Sequence, residues 1–172
     1  AALSTAGISG LTSEQVAALT TAQIAALGSE DVAALISAAV VGLNSAQVAV
    51  LTTDAFGALG TDDLGQLTNA AVSGITSAQV NTLSSADVTA LGTDIANLGS
   101  SAIGALTSAQ VDALTSAQVE ALGSEDVAAL STDAFTGLST ADLETLTSAA
   151  VAGITGEQVD GLSSDEIQAL GT

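Results

Sequence analysis

The chain has 172 residues, 48% of them hydrophobic, with 17 Gly and 19 Asp or Glu; it lacks Lys, Arg, His, Cys, Met, Pro, Trp and Tyr, so its formal charge is −19. With no basic residue to displace counter-ions, nucleic acid and anionic membrane surfaces are excluded as partners. The absence of Cys removes disulfides and thiolate metal sites, and no apolar run approaches the roughly 20 residues of a spanning helix.

An eight-residue phrase near L-T-S-A-Q-V-A-A opens at Leu3 and returns at Leu11, Leu19, Leu27, Leu35, Leu43, Leu51, Leu59, Leu67, Ile75, Leu83 and Leu91. After one shortened unit it continues at Leu98, Leu106, Leu114, Leu122, Leu130, Leu138, Leu146, Ile154 and Leu162, with a partial copy from Leu170. Residues 1–172 therefore read as a single continuous repeat domain of 21 units, with a one-residue deletion at 91–97.

Position 1 of each unit is Leu or Ile, and position 6 of every octad is Val, Ile, Leu or Phe. The spacings of five and three between these anchors fit neither a strand, which needs even separations, nor a continuous helix, whose apolar stripe would turn by about 80° per octad. The chain must reset direction once per unit. In the first units, Thr12, Thr20 and Gly28 show how: position 2 is Ser, Thr, Asn or Gly throughout, except at Ile36, where Ser37 follows and is expected to cap instead. Gln15, Gln23, Asp31, Gln47 and Gln110 lie three residues beyond position 2, the spacing of a capping box. Position 1 is then N′ and position 6 is N4, the two members of a hydrophobic staple. Each unit is predicted to form a short helix from position 3 to position 8, followed by a bend.

The acidic residues fit the same frame. Fifteen occupy positions 4 or 5, N2 and N3 of the predicted helices, where they meet the positive end of the dipole; Asp112, Glu120, Glu144 and Asp160 sit at position 7. The predicted fold is all-α: a solenoid of very short capped helices, one per octad. Small residues at position 8 are expected to let successive layers approach closely.

The number of octads per coil is read from position 5. In even units it is Gln15, Asp31, Gln47, Asp63, Gln79, Gln110, Asp126, Asp142 and Gln158, whereas Gly7, Ala39, Ala55, Ala71, Ala102, Ala134 and Ala150 occupy odd units. This alternation favours two octads, 16 residues, per coil. Gly28, Gly60, Gly92 and Gly123 at position 2 mark a four-unit modulation, which makes four octads the alternative. Further along, Leu51–Leu91 matches Leu130–Leu170 at an offset of 79 residues, with Phe56 and Phe135 in equivalent places. The missing residue lies in Leu91–Asn97, where a local bend is expected.

Catalysis lacks material. Without His, Cys, Lys, Tyr or Arg the available groups are carboxylates and hydroxyls, so no enzyme is expected. The doublets Glu30 and Asp31, Asp62 and Asp63, Glu125 and Asp126, and Asp165 and Glu166 supply hard oxygen ligands and are weak calcium candidates, although all fall at N2 and N3, where capping explains them, and no known calcium-loop signature is present. No other cofactor is expected. The chain does not begin with Met or a signal-like segment, so a processed form, an expressed fragment or a piece of a larger protein is expected.

The stretches LTSEQVAALTTAQIAAL (11–27) and LTSAQVDALTSAQVEAL (106–122) resemble the Ala/Thr/Gln-rich octapeptide arrays of very large secreted or cell-surface bacterial proteins of adhesin type. That resemblance implies an extracellular, repetitive, structural role. The haem-utilisation label carried by some such proteins is not transferred, because no haem-ligating residue exists here. The expected function is an extracellular spacer, stalk or filament subunit that assembles end to end with itself. The alternative is a solenoid module binding cations, glycans or protein.

Overall fold

The computed structural model describes residues 5–35 and 37–171. The opening of the array at Leu3 and the exception at Ile36 lie outside the described residues. Among the described residues the protein is all-helical, with 20 α-helices of four to six residues, from Thr5–Ile8 to Ser164–Ala169, and one 3-10 helix, Gly92–Asn97. The helices follow the repeat one to one.

Each α-helix starts at position 3 of its unit; Ser37, expected to cap, is instead the first residue of Ser37–Val40, and the 3-10 helix begins one place early, at Gly92. Thr12, Asn44, Thr76, Ser84 and Ser139, among others, hold extended backbone conformations, and their side-chain oxygens accept from the N–H three residues on. Where position 5 is Gln, Asp or Glu, except at Asp63, its side chain in turn accepts from the N-cap N–H, as Gln79 does from Thr76 at 2.9 Å. At Gly28 and Gly123, which have no side chain, only this reciprocal half remains, from Asp31 and Asp126. The far end is also regular: the position-1 N–H of the next unit donates to the position-6 carbonyl, as Leu19 does to Val16 and Leu51 to Val48. A turn and a half of helix is thus closed at both ends by local bonds, and this lets so short a helix persist.

The anchors form one continuous core. Position 6 is buried from Ile8 to Leu143 and position 1 from Leu35 to Leu146, with Phe56 and Phe135 fully enclosed. Neighbouring layers are set by a step of three units. Helix Ser45–Val50 packs on Asn69–Val72, and Ser108–Asp112 packs on Thr132–Phe135. The expectation of two octads per coil is therefore corrected, as is the alternative of four. Side-chain bonds between layers span 24 to 31 residues, so one turn of the solenoid holds between three and four octads. The alternation at position 5 has another origin. A step of three carries an odd unit onto an even one, so the two residue classes mark two kinds of layer contact rather than two rows of helices. The array makes about six turns, and layers about 8–10 Å apart give it a length of about 50–60 Å.

The shortened unit is absorbed rather than expelled. Its seven residues close as the 3-10 helix Gly92–Asn97, entered through Gly92 at φ 55, the one positive φ among the described residues. A left-handed backbone at this point favours glycine.

Candidate functional site at the layer contacts and end faces

Five glutamines at position 5, Gln47, Gln79, Gln110, Gln118 and Gln158, are buried. Each Oε1 accepts from its own N-cap N–H, and each Nε2 reaches the preceding layer. Gln47 Nε2 donates to the carbonyls of Val16 at 2.9 Å and Leu19 at 2.7 Å; Gln79 donates to Val48 and Leu51, and Gln158 to Val127 and Leu130. One amide thus completes the start of its own helix and the end of a helix one turn below. A carboxylate offers only the first half of this function, because it accepts and does not donate. Asp87, Asp142 and Glu166 accordingly hold their N-caps from half-buried positions. The N3 side chains that bridge layers among the described residues are all Gln, whereas Gln15 and Gln23, at the start of the array, are exposed.

The ladder continues across the shortened unit. Gln47, Gln79 and Gln158 reach back 31 and 28 residues; Gln110 reaches 30 and 27, and Gln118 reaches 30 and 26, its second acceptor being the carbonyl of Gly92. Positions 5 without Gln or an acid make the complementary contact. Ala39, Ala55, Ala71, Ala102, Ala134 and Ala150 are buried against neighbouring layers. At position 8, Gly42, Gly74, Gly137 and Gly153 lie against the backbone of Ser13, Ser45, Ser108 and Ser124, each in the helix start three units earlier, where an added Cβ would overlap a carbonyl oxygen.

The carboxylate doublets do not converge. In each, the position-4 residue, Glu30, Asp62, Glu125 or Asp165, is exposed, while Asp31, Asp126 and Glu166 turn back to their own N-cap N–H; Asp63 is half-buried beside them in the frame. Among the described residues no group of three or more acidic side chains is placed to hold a metal ion. Burial pushes the Asp126 carboxyl above the ordinary carboxylate range against the Gly123 N–H bond that favours its charge, and neighbouring Glu125 adds to the rise. Glu166 is held below its ordinary value by bonds from the Ser163 hydroxyl and N–H. The signs are opposite. Ionised Glu166 contributes stability above its unfolded pKa that is lost as pH falls through the folded value, whereas charged Asp126 opposes folding as pH rises through its raised value. Asp126→Asn keeps an acceptor for Gly123 and removes the charge. It is expected to stabilise the protein at pH 7 by up to about 0.5 kcal/mol, with the gain disappearing in acid, as thermal melts across pH 3–7 would show.

The two ends of the array differ in what they leave uncovered. At the N-terminal end Leu11, Leu19 and Leu27 are only half-buried, and the amides of Gln15 and Gln23 are exposed although both complete their capping boxes. At the C-terminal end Val159 and Ile167 are 38% and 48% exposed, and Leu143, Leu146, Val151, Ala169 and Leu170 line an open groove. The flank carries two further exposed apolar side chains of this size, Val41 and Val50. No described helix is long and apolar enough to cross a membrane.

Sequence comparison places the repeat among known ones. The ALTTAQ repeat matches residues 1–29, 24–61, 56–93, 93–124 and 137–172, and the six letters of that name stand unbroken at Ala18–Gln23. No curated protein matches the chain.

Proposed function

The chain belongs to the ALTTAQ repeat family, and from that premise we propose that it is a non-catalytic structural element, an extracellular or cell-surface spacer, stalk or filament subunit able to assemble end to end. The observation that carries this reading is the layer contact: each layer covers the apolar anchors of the one before it, and bridging Gln side chains bond its carbonyls, from the same positions of the repeat each time. Solenoid repeats contact only their neighbours, so such an array extends by stacking further layers. The polar chemistry of the repeat is engaged in helix capping and layer bonding, leaving Ser, Thr and acidic side chains along the flank. A passive spacer requires no more than that.

The charge of −19 opposes association at low salt and is screened over about 3 Å at 1 M salt. Multi-angle light scattering over a concentration series in about 1 M salt is expected to show mass rising with concentration. A strictly monomeric particle throughout that series would overturn end-to-end assembly. Calorimetric titration with calcium is the companion measurement: a spacer gives no saturable heat, and a stoichiometric site would favour a binding module.

A further inference from the structure

A deletion breaks the register of a repeat and would ordinarily leave a weak point in the array. We propose that the seven-residue unit is instead a lock: it lies in the one layer contact, between residues 80–92 and 109–118, where several side-chain bridges are drawn together, and this contact opens as a unit and more rarely than the contacts on either side of it. Gln47, Gln79 and Gln158 each cross to the preceding layer alone, with two bonds apiece. Gln110 and Gln118 cross together from consecutive units, to Val80 with Leu83 and to Val88 with Gly92. The Ser85 hydroxyl donates in the other direction, to the Ala109 carbonyl at 2.9 Å, and the Thr89 hydroxyl donates to Ala113 at 3.0 Å. Six side-chain bonds therefore close this contact, and among the described residues only here do donors cross both ways.

The bonds share elements, which makes their opening concerted. Helix Ser85–Ala90 donates through Ser85 and Thr89 to the unit that carries Gln110, and through the Val88 carbonyl it accepts from Gln118. Gly92 makes the second glutamine fit. In the other bridged units the second acceptor is the position-1 carbonyl, as at Leu51, whose backbone is extended. Leu91 is helical instead, and its carbonyl accepts from the Asp94 N–H. Gln118 bonds the carbonyl of Gly92 in its place, at 3.1 Å, with Gly92 at φ 55. An added Cβ at Gly92 would meet nothing within 4 Å, so a substitution there acts through the left-handed backbone alone.

Native-state hydrogen exchange tests the lock at four equivalent amides. The N–H groups of Leu51, Leu83, Leu91 and Leu130 donate to the carbonyls of Val48, Val80, Val88 and Val127, the same four that Gln79, Gln110, Gln118 and Gln158 also bond. Leu83 and Leu91 are expected to share one opening reaction and to exchange at least about tenfold more slowly than Leu51 and Leu130, which flank them on both sides. Gly92→Ala is expected to speed Leu83 and Leu91 about tenfold while leaving Leu51 and Leu130 within about twofold, and Gly92→Asn, which tolerates the left-handed region, to restore most of the protection. Leu91 exchanging as fast as Leu51 and Leu130 in the wild-type chain would mean a hinge and overturn the lock. Slow exchange at Leu83 and Leu91 that Gly92→Ala leaves unchanged would also overturn it, since a place in the middle of the array would then suffice. Neither result bears on end-to-end assembly.

Discussion

Gln79→Glu is expected to be the most damaging single-atom change in the array. Gln79 is 1% exposed, and its Nε2 donates to the carbonyls of Val48 at 2.8 Å and Leu51 at 3.0 Å while Oε1 holds the Thr76 N–H. A carboxylate would keep the last bond and turn a negative oxygen toward two buried carbonyls. No basic residue exists anywhere in the chain to offset it. A buried charge without a partner costs about 3–5 kcal/mol, so chemical denaturation at pH 7 should show a loss of that size. The defect is expected to ease in acid, because a protonated carboxyl regains one donor. Gln15→Glu, the same replacement at an exposed site with no layer beneath it, is expected to stay within about 0.5 kcal/mol of wild type. Equal effects at the two positions would mean that the bridging bonds contribute little.

Gly74→Ala should be next in size. Gly74 closes its unit against the backbone of Ser45, the first residue of the helix Ser45–Val50, whose Cα would stand 2.6 Å from an added Cβ. Relief by a side-chain rotation is not available, since the obstruction is backbone. Nor can Ser45 withdraw freely, because Asn44 and Gln47 cap that helix reciprocally. Overpacking of this kind costs about 1–3 kcal/mol. Gly156 is the internal control: it is the first residue of Gly156–Asp160 and has nothing within 4 Å of an added Cβ. Gly156→Ala is expected to stabilise by about 0.5–1 kcal/mol through the lower backbone entropy of the unfolded chain. Thermal melts of the pair would therefore move in opposite directions.

The local architecture was legible in the repeat because the signals that build it are local. A cap at Thr76, an acceptor at Gln79 and anchors at Ile75 and Val80 lie within six residues, and their spacing defines the helix without reference to the rest of the molecule. The coil was not legible in the same way. Alternation of Ala71 with Gln79 along the chain has the same appearance whether layers repeat every two units or whether a step of three exchanges odd for even. Contacts between turns distinguish the two, such as the packing of Ser45–Val50 on Asn69–Val72 and the bonds of Gln79 to Val48 and Leu51. The second role of glutamine was hidden for a related reason. Gln79 and Asp87 both satisfy a capping box, and the difference between them becomes meaningful once a carbonyl pair from another turn stands opposite the amide. A signal was nevertheless present: Gln rather than an acid at N3 of Gln47, Gln79, Gln110 and Gln158, in a chain that uses acids freely at N3 elsewhere.

The acidic doublets were read in the sequence chiefly as caps, with calcium as a weak second use. Asp31, Asp126 and Glu166 do bond their own N-caps, while their neighbours Glu30, Glu125 and Asp165 face solvent separately. Adjacent residues at N2 and N3 of a helix diverge by about 100°, so a doublet by itself does not present its two carboxylates to one ion.

The central claim is that the solenoid advances by between three and four octads per turn, and it can be tested by proximity in a chain that has no native Cys. Exposed Ala46, Asp62 and Ala70 occupy position 4 of their units, Ala46 and Ala70 in the packed helices Ser45–Val50 and Asn69–Val72. Pyrene attached through Ala46→Cys with Ala70→Cys is predicted to give excimer fluorescence, and through Ala46→Cys with Asp62→Cys to give none. Excimer emission from the 46 and 62 pair, with none from 46 and 70, would contradict the account.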